Sequence, residues 1–294
     1  MEFESIAIIL QIGSSLFAAM TAMLLKLIQE LNFNQTLYLR GISSFILLIL
    51  IINHYKTQVQ GFDKQTMKTL IERGLLASFG AFLYFQGLDL VLVSESIILN
   101  RMSPIWTSII QILILKKEQF NRRLCLNMLL CSVGIYLVAK NNTNKNQANN
   151  VEDGYYHNLG IILICLASIS QAFVNILIQQ INKEVDNLAI CIYQSFFATI
   201  FPSVISLTKG SKFIFPSQYE AFLIIMISVM SLFSGQLSVS AMRQGKLSVI
   251  SNVSQIQIFF GYLIDVFIFK VQFNGEQILG NILLLCSLIP LIWK

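Results

Sequence analysis

Apolar residues run along this chain in long blocks, and polar residues collect in the short intervals between them. Segments 5–25, 154–182, 187–208, 221–242 and 247–264 contain no Asp, Glu, Lys or Arg. A helix needs about 20 consecutive apolar residues to cross the hydrocarbon core of a bilayer. Less uniform blocks of similar length fill much of the remainder. The pattern predicts ten helices, over residues 5–28, 36–54, 71–90, 93–115, 124–140, 158–181, 187–208, 219–241, 247–269 and 277–293.

Composition sharpens this into an all-α membrane protein. Apolar residues make up 55% of the 294 positions and charged residues only 12%. A soluble domain carries about 25% charge, so there is too little here to clothe a water-facing surface. The lead MEFE is acidic and no small-residue cleavage site follows it, which marks the first block as a retained helix and not a signal peptide. Cys125, Cys131, Cys165, Cys191 and Cys286 all fall inside apolar blocks, without metal-binding spacing, and read as small hydrophobes.

Charge adds orientation. With the N-terminus in the cytoplasm, twelve Lys and Arg fall on the inner side and seven on the outer, with Arg101 left inside a helix. Inner loops gather Lys and Arg, so both termini are expected in the cytoplasm. The net charge of +5 then reflects membrane topology and implies no nucleic-acid partner.

An internal repeat adds architecture. Residues 141–157, NNTNKNQANNVEDGYYH, form a polar linker between five helices and five helices. The first half ends in KKEQFNRRLCLNMLLCSVGIYLVAK and the second in KVQFNGEQILGNILLLCSLIPLIWK. Each has a lysine, QFN, a polar turn, an Asn and then LLCS. Because five is odd, two copies of such a unit enter the membrane in opposite senses. The expected organisation is a first five-helix repeat over 1–140, the linker, and a second, divergent repeat over 158–294.

The stretch from Arg73 to Ala139 resembles the second half of an EamA domain of the drug/metabolite transporter superfamily. The matching features are Arg73-Gly74, Tyr84, the short turn over 88–93, Asn100 with Pro104, Glu118 and Gly134. In weaker form the likeness extends over the whole chain as two such domains, similar in flavour to the eukaryotic G-type branch of solute carrier family 35. The resemblance implies a ten-helix transporter in two inverted repeats with a central cavity between them. The second repeat departs from it, with Gln257 opposite Pro104 and Ser254 opposite Arg101.

Polar residues inside the blocks are the candidates for solute binding. Pro104 lacks an amide hydrogen and cannot bond the carbonyl of Asn100, so a kink in the fourth helix offers that carbonyl and the Asn100 side chain to a solute, or else to a neighbouring helix. Arg101 is costly in hydrocarbon unless it faces water, snorkels or pairs, with Glu95 and Asp265 as the available acids. Asp265 in the ninth helix either binds a cation or proton or pairs with Lys270. Gln171, Asn175 and Gln179 form one stripe on the sixth helix, and Gln86 and Gln236 occupy related points of the two halves. Asn252 and Gln255 share a face of the ninth helix. Trp106 is placed to stack on a ring. Interhelical amide packing is the alternative reading for the whole amide set.

No motif for metal, nucleotide or nucleophilic chemistry is present, so no enzyme activity, metal or cofactor is expected. The expected function is a secondary transporter for a small polar metabolite, working by alternating access in a plasma membrane or endomembrane as a monomer or homodimer. A coupling proton or an exchanged solute would drive it. The alternative is a membrane scaffold or receptor that keeps the fold without transporting.

Overall fold

The computed structural model describes residues 2–28, 31, 33–88, 90, 99–100, 102–116, 122–143, 151–182, 184–208, 214–270 and 275–292. Every regular element among them is helical: α1 (Glu2–Lys26), α2 (Phe33–Tyr55), α3 (Lys64–Leu88), α4 (Ser103–Ile109), α5 (Arg122–Thr143), α6 (Val151–Gln180), α7 (Asn187–Thr208), α8 (Gln218–Gln244), α9 (Leu247–Val253), α10 (Ile256–Phe267) and α11 (Gly275–Ile292). A π-helical turn over Ile110–Ile114 continues α4. Five stretches, Ser5–Lys26, Gln35–Tyr55, Tyr156–Gln180, Gln218–Gln244 and Leu247–Phe267, are long and apolar enough to cross a membrane.

Helices and apolar blocks do not end together. α3 starts at Lys64 and not near 71, and α6 starts at Val151, inside the stretch expected as linker. Apolar counting finds only the part of a helix that needs hydrocarbon. Exposed polar residues such as Lys64 and Gln65 continue the same helix beyond the apolar block, and Asp63 caps it by accepting a hydrogen bond from the Thr66 amide at 3.2 Å.

The fourth span differs more. A kinked continuous helix is the expectation. Instead α4 begins afresh at Ser103, with Pro104 in its first turn, just after the helical pair Leu99 and Asn100. Proline suits the first turn because the amide it lacks has no helical partner there. The ninth span breaks at the equivalent point. α9 ends at Val253, Ser254 and Gln255 form a turn, and α10 begins at Ile256. In the repeat alignment Ile256 lies opposite Ser103. The break thus recurs in the second copy without a proline. Lys116 and Lys270, with φ of 50° and 53°, close the fourth and ninth spans in the same left-handed conformation.

The chain divides into two compact units that cut across the sequence halves: Met1–Phe79 with Leu177–Gln244, and Gly80–Ile176 with Gly245–Lys294. In the first unit α1 packs on α8 and α2 on α7. Ser14 and Ser234 exchange hydrogen bonds, each hydroxyl donating to the other's carbonyl at 2.8 and 2.9 Å. One turn along, Phe17 stacks on Phe233 with ring centres 5.6 Å apart. Gly41 lets α2 approach α7 so closely that a Cβ there would lie 2.9 Å from the Thr199 hydroxyl.

In the second unit α5 packs on α11 through the residues that echo each other in sequence. Asn127 donates to the Ser287 carbonyl at 2.6 Å, and the Cys131 thiol meets the Ser287 hydroxyl at 3.0 Å. Gly80 and Gly87 on α3 meet α6. A Cβ on Gly87 would lie 2.5 Å from Ile164 Cγ1 and 2.9 Å from the Gly160 carbonyl, so a small residue on each side sets the approach. The contacts repeat the sequence symmetry: α1 on α8 in one unit, α6 on α3 in the other.

Candidate functional site

The second unit holds a cluster of buried neutral polar groups where α4 meets α9. Ser103, Thr107, Ser108, Ser248, Ser251 and Asn252 are all buried there. Most of their polar atoms are used locally. Thr107 donates to the Ser103 carbonyl at 2.9 Å and Ser108 to the Pro104 carbonyl at 3.0 Å. Ser251 donates to the Ser248 carbonyl at 3.1 Å, and Ser254 to the Ser251 carbonyl at 2.6 Å. Such back-bonds satisfy the hydroxyls in an apolar setting and favour bends in the helices that carry them. Asn252 ties the two spans together, donating to the Ser108 hydroxyl at 3.1 Å and to the Ser248 carbonyl at 2.7 Å.

Around this satisfied frame stand buried amide atoms with no protein partner. They are Asn252 Oδ1 and both amide atoms of Gln255 and Gln111, with Trp106 Nε1 beside them in sequence. Gln255 is 2% exposed and Gln111 1%. Leaving one such atom buried and unpaired costs about 1–3 kcal/mol. Five amide atoms in that state are costly as a purely structural arrangement. They are what a site needs if it is to meet the donors and acceptors of a polar solute. Gln255 sits in the turn that breaks the ninth span, and Gln111 in the π-helical turn of the fourth. A π turn widens the helix locally and often marks a functional position.

Other expected residues spread more widely. Asn100, Gln86 and Asp265 are half-buried in the second unit, and Pro104 is buried there. Arg101 lies outside the described residues. Along α6, Gln171 is exposed and donates to Asn175 Oδ1 at 3.1 Å, so two members of the stripe satisfy each other within the helix. Gln179 and Gln236 belong to the first unit, where Gln179 donates to the Met242 carbonyl at 3.3 Å and Gln236 Nε2 is buried without a partner. Gln111 was not among the residues expected from sequence. It lies seven residues after Pro104 and eleven after Asn100, spacings that would share one face of an unbroken helix, and that spacing is the signal that points to it.

Long apolar helices, two of them broken at equivalent repeat positions and carrying unpaired amides, define the class as a polytopic helical membrane protein. The model of the EamA-like transporter family matches residues 5–140 and 158–293. The chain therefore belongs to the EamA-like transporter family and is an integral membrane protein. A crystal structure of another protein superposes with a TM-score of 0.79 over 98% of this chain and 96% of that one, at 11% identity. At that identity the likeness is one of fold. A sequence comparison with curated proteins returns no match.

Proposed function

We propose that this protein is a secondary transporter that carries a small polar solute through ten spans by alternating access, with both termini in the cytoplasm. The observation that supports this best is the set of buried, unpaired amides of Gln111, Asn252 and Gln255 around the breaks of the fourth and ninth spans. Half-helices with a broken centre are how many transporters with inverted repeats present polar groups to solute inside a membrane. The cluster contains no charged side chain among the described residues. Recognition there rests on hydrogen bonds, and the solute carries several donors and acceptors in a small frame. Transport runs on a solute or ion gradient.

The test is uptake by proteoliposomes containing the purified protein, screened with a panel of labelled polar metabolites. The expected result is saturable uptake of at least one, strongly reduced by Gln255→Leu at equal protein density. Absence of uptake across the panel, with no thermal stabilisation by any member, would favour a scaffold that retains the fold. Tags at either terminus should be reached only from the cytoplasmic side; a terminus protected from cytoplasmic reagent refutes the orientation.

A further inference from the structure

The first unit contains a polar cavity of about 70 Å³, lined among others by Arg40, Ser44, Gln194, Ser195 and Ser231. Its chemistry differs from that of the amide cluster. The lining carries a cation and no carboxylate. Among the described residues no acid pairs with Arg40, nor with Arg73 behind it. Arg73 is 4% exposed; it donates to Gln194 Oε1 at 2.9 Å and to the Ile190 carbonyl at 3.4 Å, and its Nε has no partner. Because the Gln194 oxygen is taken by Arg73, Gln194 is left to present its NH₂ group. The Ser44 side chain is 7% exposed, and among the described residues neither its hydroxyl nor that of Ser195 or Ser231 bonds to protein.

A helical serine in an apolar setting ordinarily bonds the carbonyl one turn back, as Thr199 and Ser203 do on the same α7 helix at 2.8 and 2.7 Å. Three serines that leave that bond unmade around one arginine form a set of donors awaiting an acceptor. Arg40 is half-buried and Arg73 buried, and cations withdrawn from water without a counter-ion are a costly arrangement. A volume of about 70 Å³ exceeds the share of two waters in the liquid and accommodates a small oxyanion group.

We infer that this cavity is an anion site, which takes a phosphate or carboxylate group between Arg40, Gln194 and the serine hydroxyls. Arg73 acts as a positioning residue that turns Gln194. The anionic group belongs either to a free solute or to a lipid headgroup, and one experiment separates the two.

Purified protein is placed in nanodiscs of neutral phosphatidylcholine, and thermal unfolding is followed against inorganic phosphate, with chloride at equal ionic strength as control. A parallel series replaces part of the lipid with phosphatidylglycerol. Binding to the native state raises the unfolding midpoint. Stabilisation by phosphate in neutral discs, weakened at least tenfold in apparent affinity by Arg40→Gln, supports a free anion. Stabilisation only by the anionic lipid, lost in Arg40→Gln, supports a headgroup. Ser231→Ala removes one hydroxyl from the lining without touching either charge; it covers the case in which Arg40→Gln fails to fold, and should weaken the same effect about tenfold. No anion effect in either lipid, or an effect that survives both substitutions unchanged, overturns the inference, whether or not solute uptake is found.

Discussion

Asn252→Leu separates a structural from a functional role for the amide cluster. The substitution keeps the branching at Cγ and removes all hydrogen bonding. In the wild type Asn252 Nδ2 makes two bonds, to Ser108 Oγ and to the Ser248 carbonyl, while Oδ1 is buried and unpaired. The two bonds contribute about 1 kcal/mol each, and the orphaned oxygen costs about 1–3 kcal/mol. Ser108 still donates to the Pro104 carbonyl after the change, so its hydroxyl is not stranded. The terms nearly cancel, and the unfolding free energy should move by no more than about 1 kcal/mol. Transport should respond very differently. Losing one solute hydrogen bond of about 1.4 kcal/mol weakens solute affinity roughly tenfold. The assay pairs thermal unfolding in detergent with initial uptake rates over a range of solute concentrations. A fall of many degrees in the unfolding midpoint, with uptake per folded molecule unchanged, would show that Asn252 is only a strut between the spans and would refute the reasoning.

Gly87→Ala places a Cβ against Ile164 and the Gly160 carbonyl, and such overpacking should cost about 1–3 kcal/mol; Ile164→Ala in the same chain should restore only part, because the backbone carbonyl stays in place, and full rescue measured by thermal unfolding would contradict this. Asn127→Ala should destabilise by about 1–3 kcal/mol because it takes away a buried donor to the Ser287 carbonyl, and a circular-dichroism melt that matches wild type would count against it. The Thr66 hydroxyl and amide hold the Asp63 carboxyl below the usual carboxylate range. Its cap on α3 is therefore fully present above the unfolded-state pKa and is lost as pH falls through the folded one. Asp63→Asn, which caps without titrating, should flatten any acid-dependent fraying seen by hydrogen exchange across 64–70, and an unchanged profile would disprove the assignment.

The apolar blocks were legible because lipid imposes them: each helix must hide its backbone, and only long apolar runs do so. The helix ends at Lys64 and Val151 were not, since water makes no comparable demand on the flanking turns. The break in the fourth span could be suspected from Pro104, though not its form, which is a fresh helix start and not a kink. The matching break at Ser254 and Gln255 has neither proline nor glycine; Ser251 and Ser254 there bond carbonyls three residues back, local bonds that compete with the helix. Asn252 and Gln255 stood out as amides in an apolar block. Gln111 lay hidden because it sits beyond the polar middle of its span, and only its register with Asn100 and Pro104 marks it. The echo of Asn and LLCS near the two ends had a physical cause as well: Asn127, Cys131 and Ser287 from the two copies meet across one helix pair.

The reciprocal bonds of Ser14 and Ser234 join residues 220 positions apart. A ribosome adds about 5–20 residues each second, so α1 waits roughly 10–45 s in the bilayer before α8 exists. During that time Gln11, Ser14 and Ser15, all buried in the finished protein, lack the helix that will cover them. Ser15 can bond the Gln11 carbonyl within its own helix, but Ser14 has its bond only across the pair. The first helix thus enters the membrane as an incomplete surface, and the insertion machinery must shelter it through most of synthesis. Truncated chains ending before residue 218 should be cleared by quality control as orphans, however well each of their helices inserts.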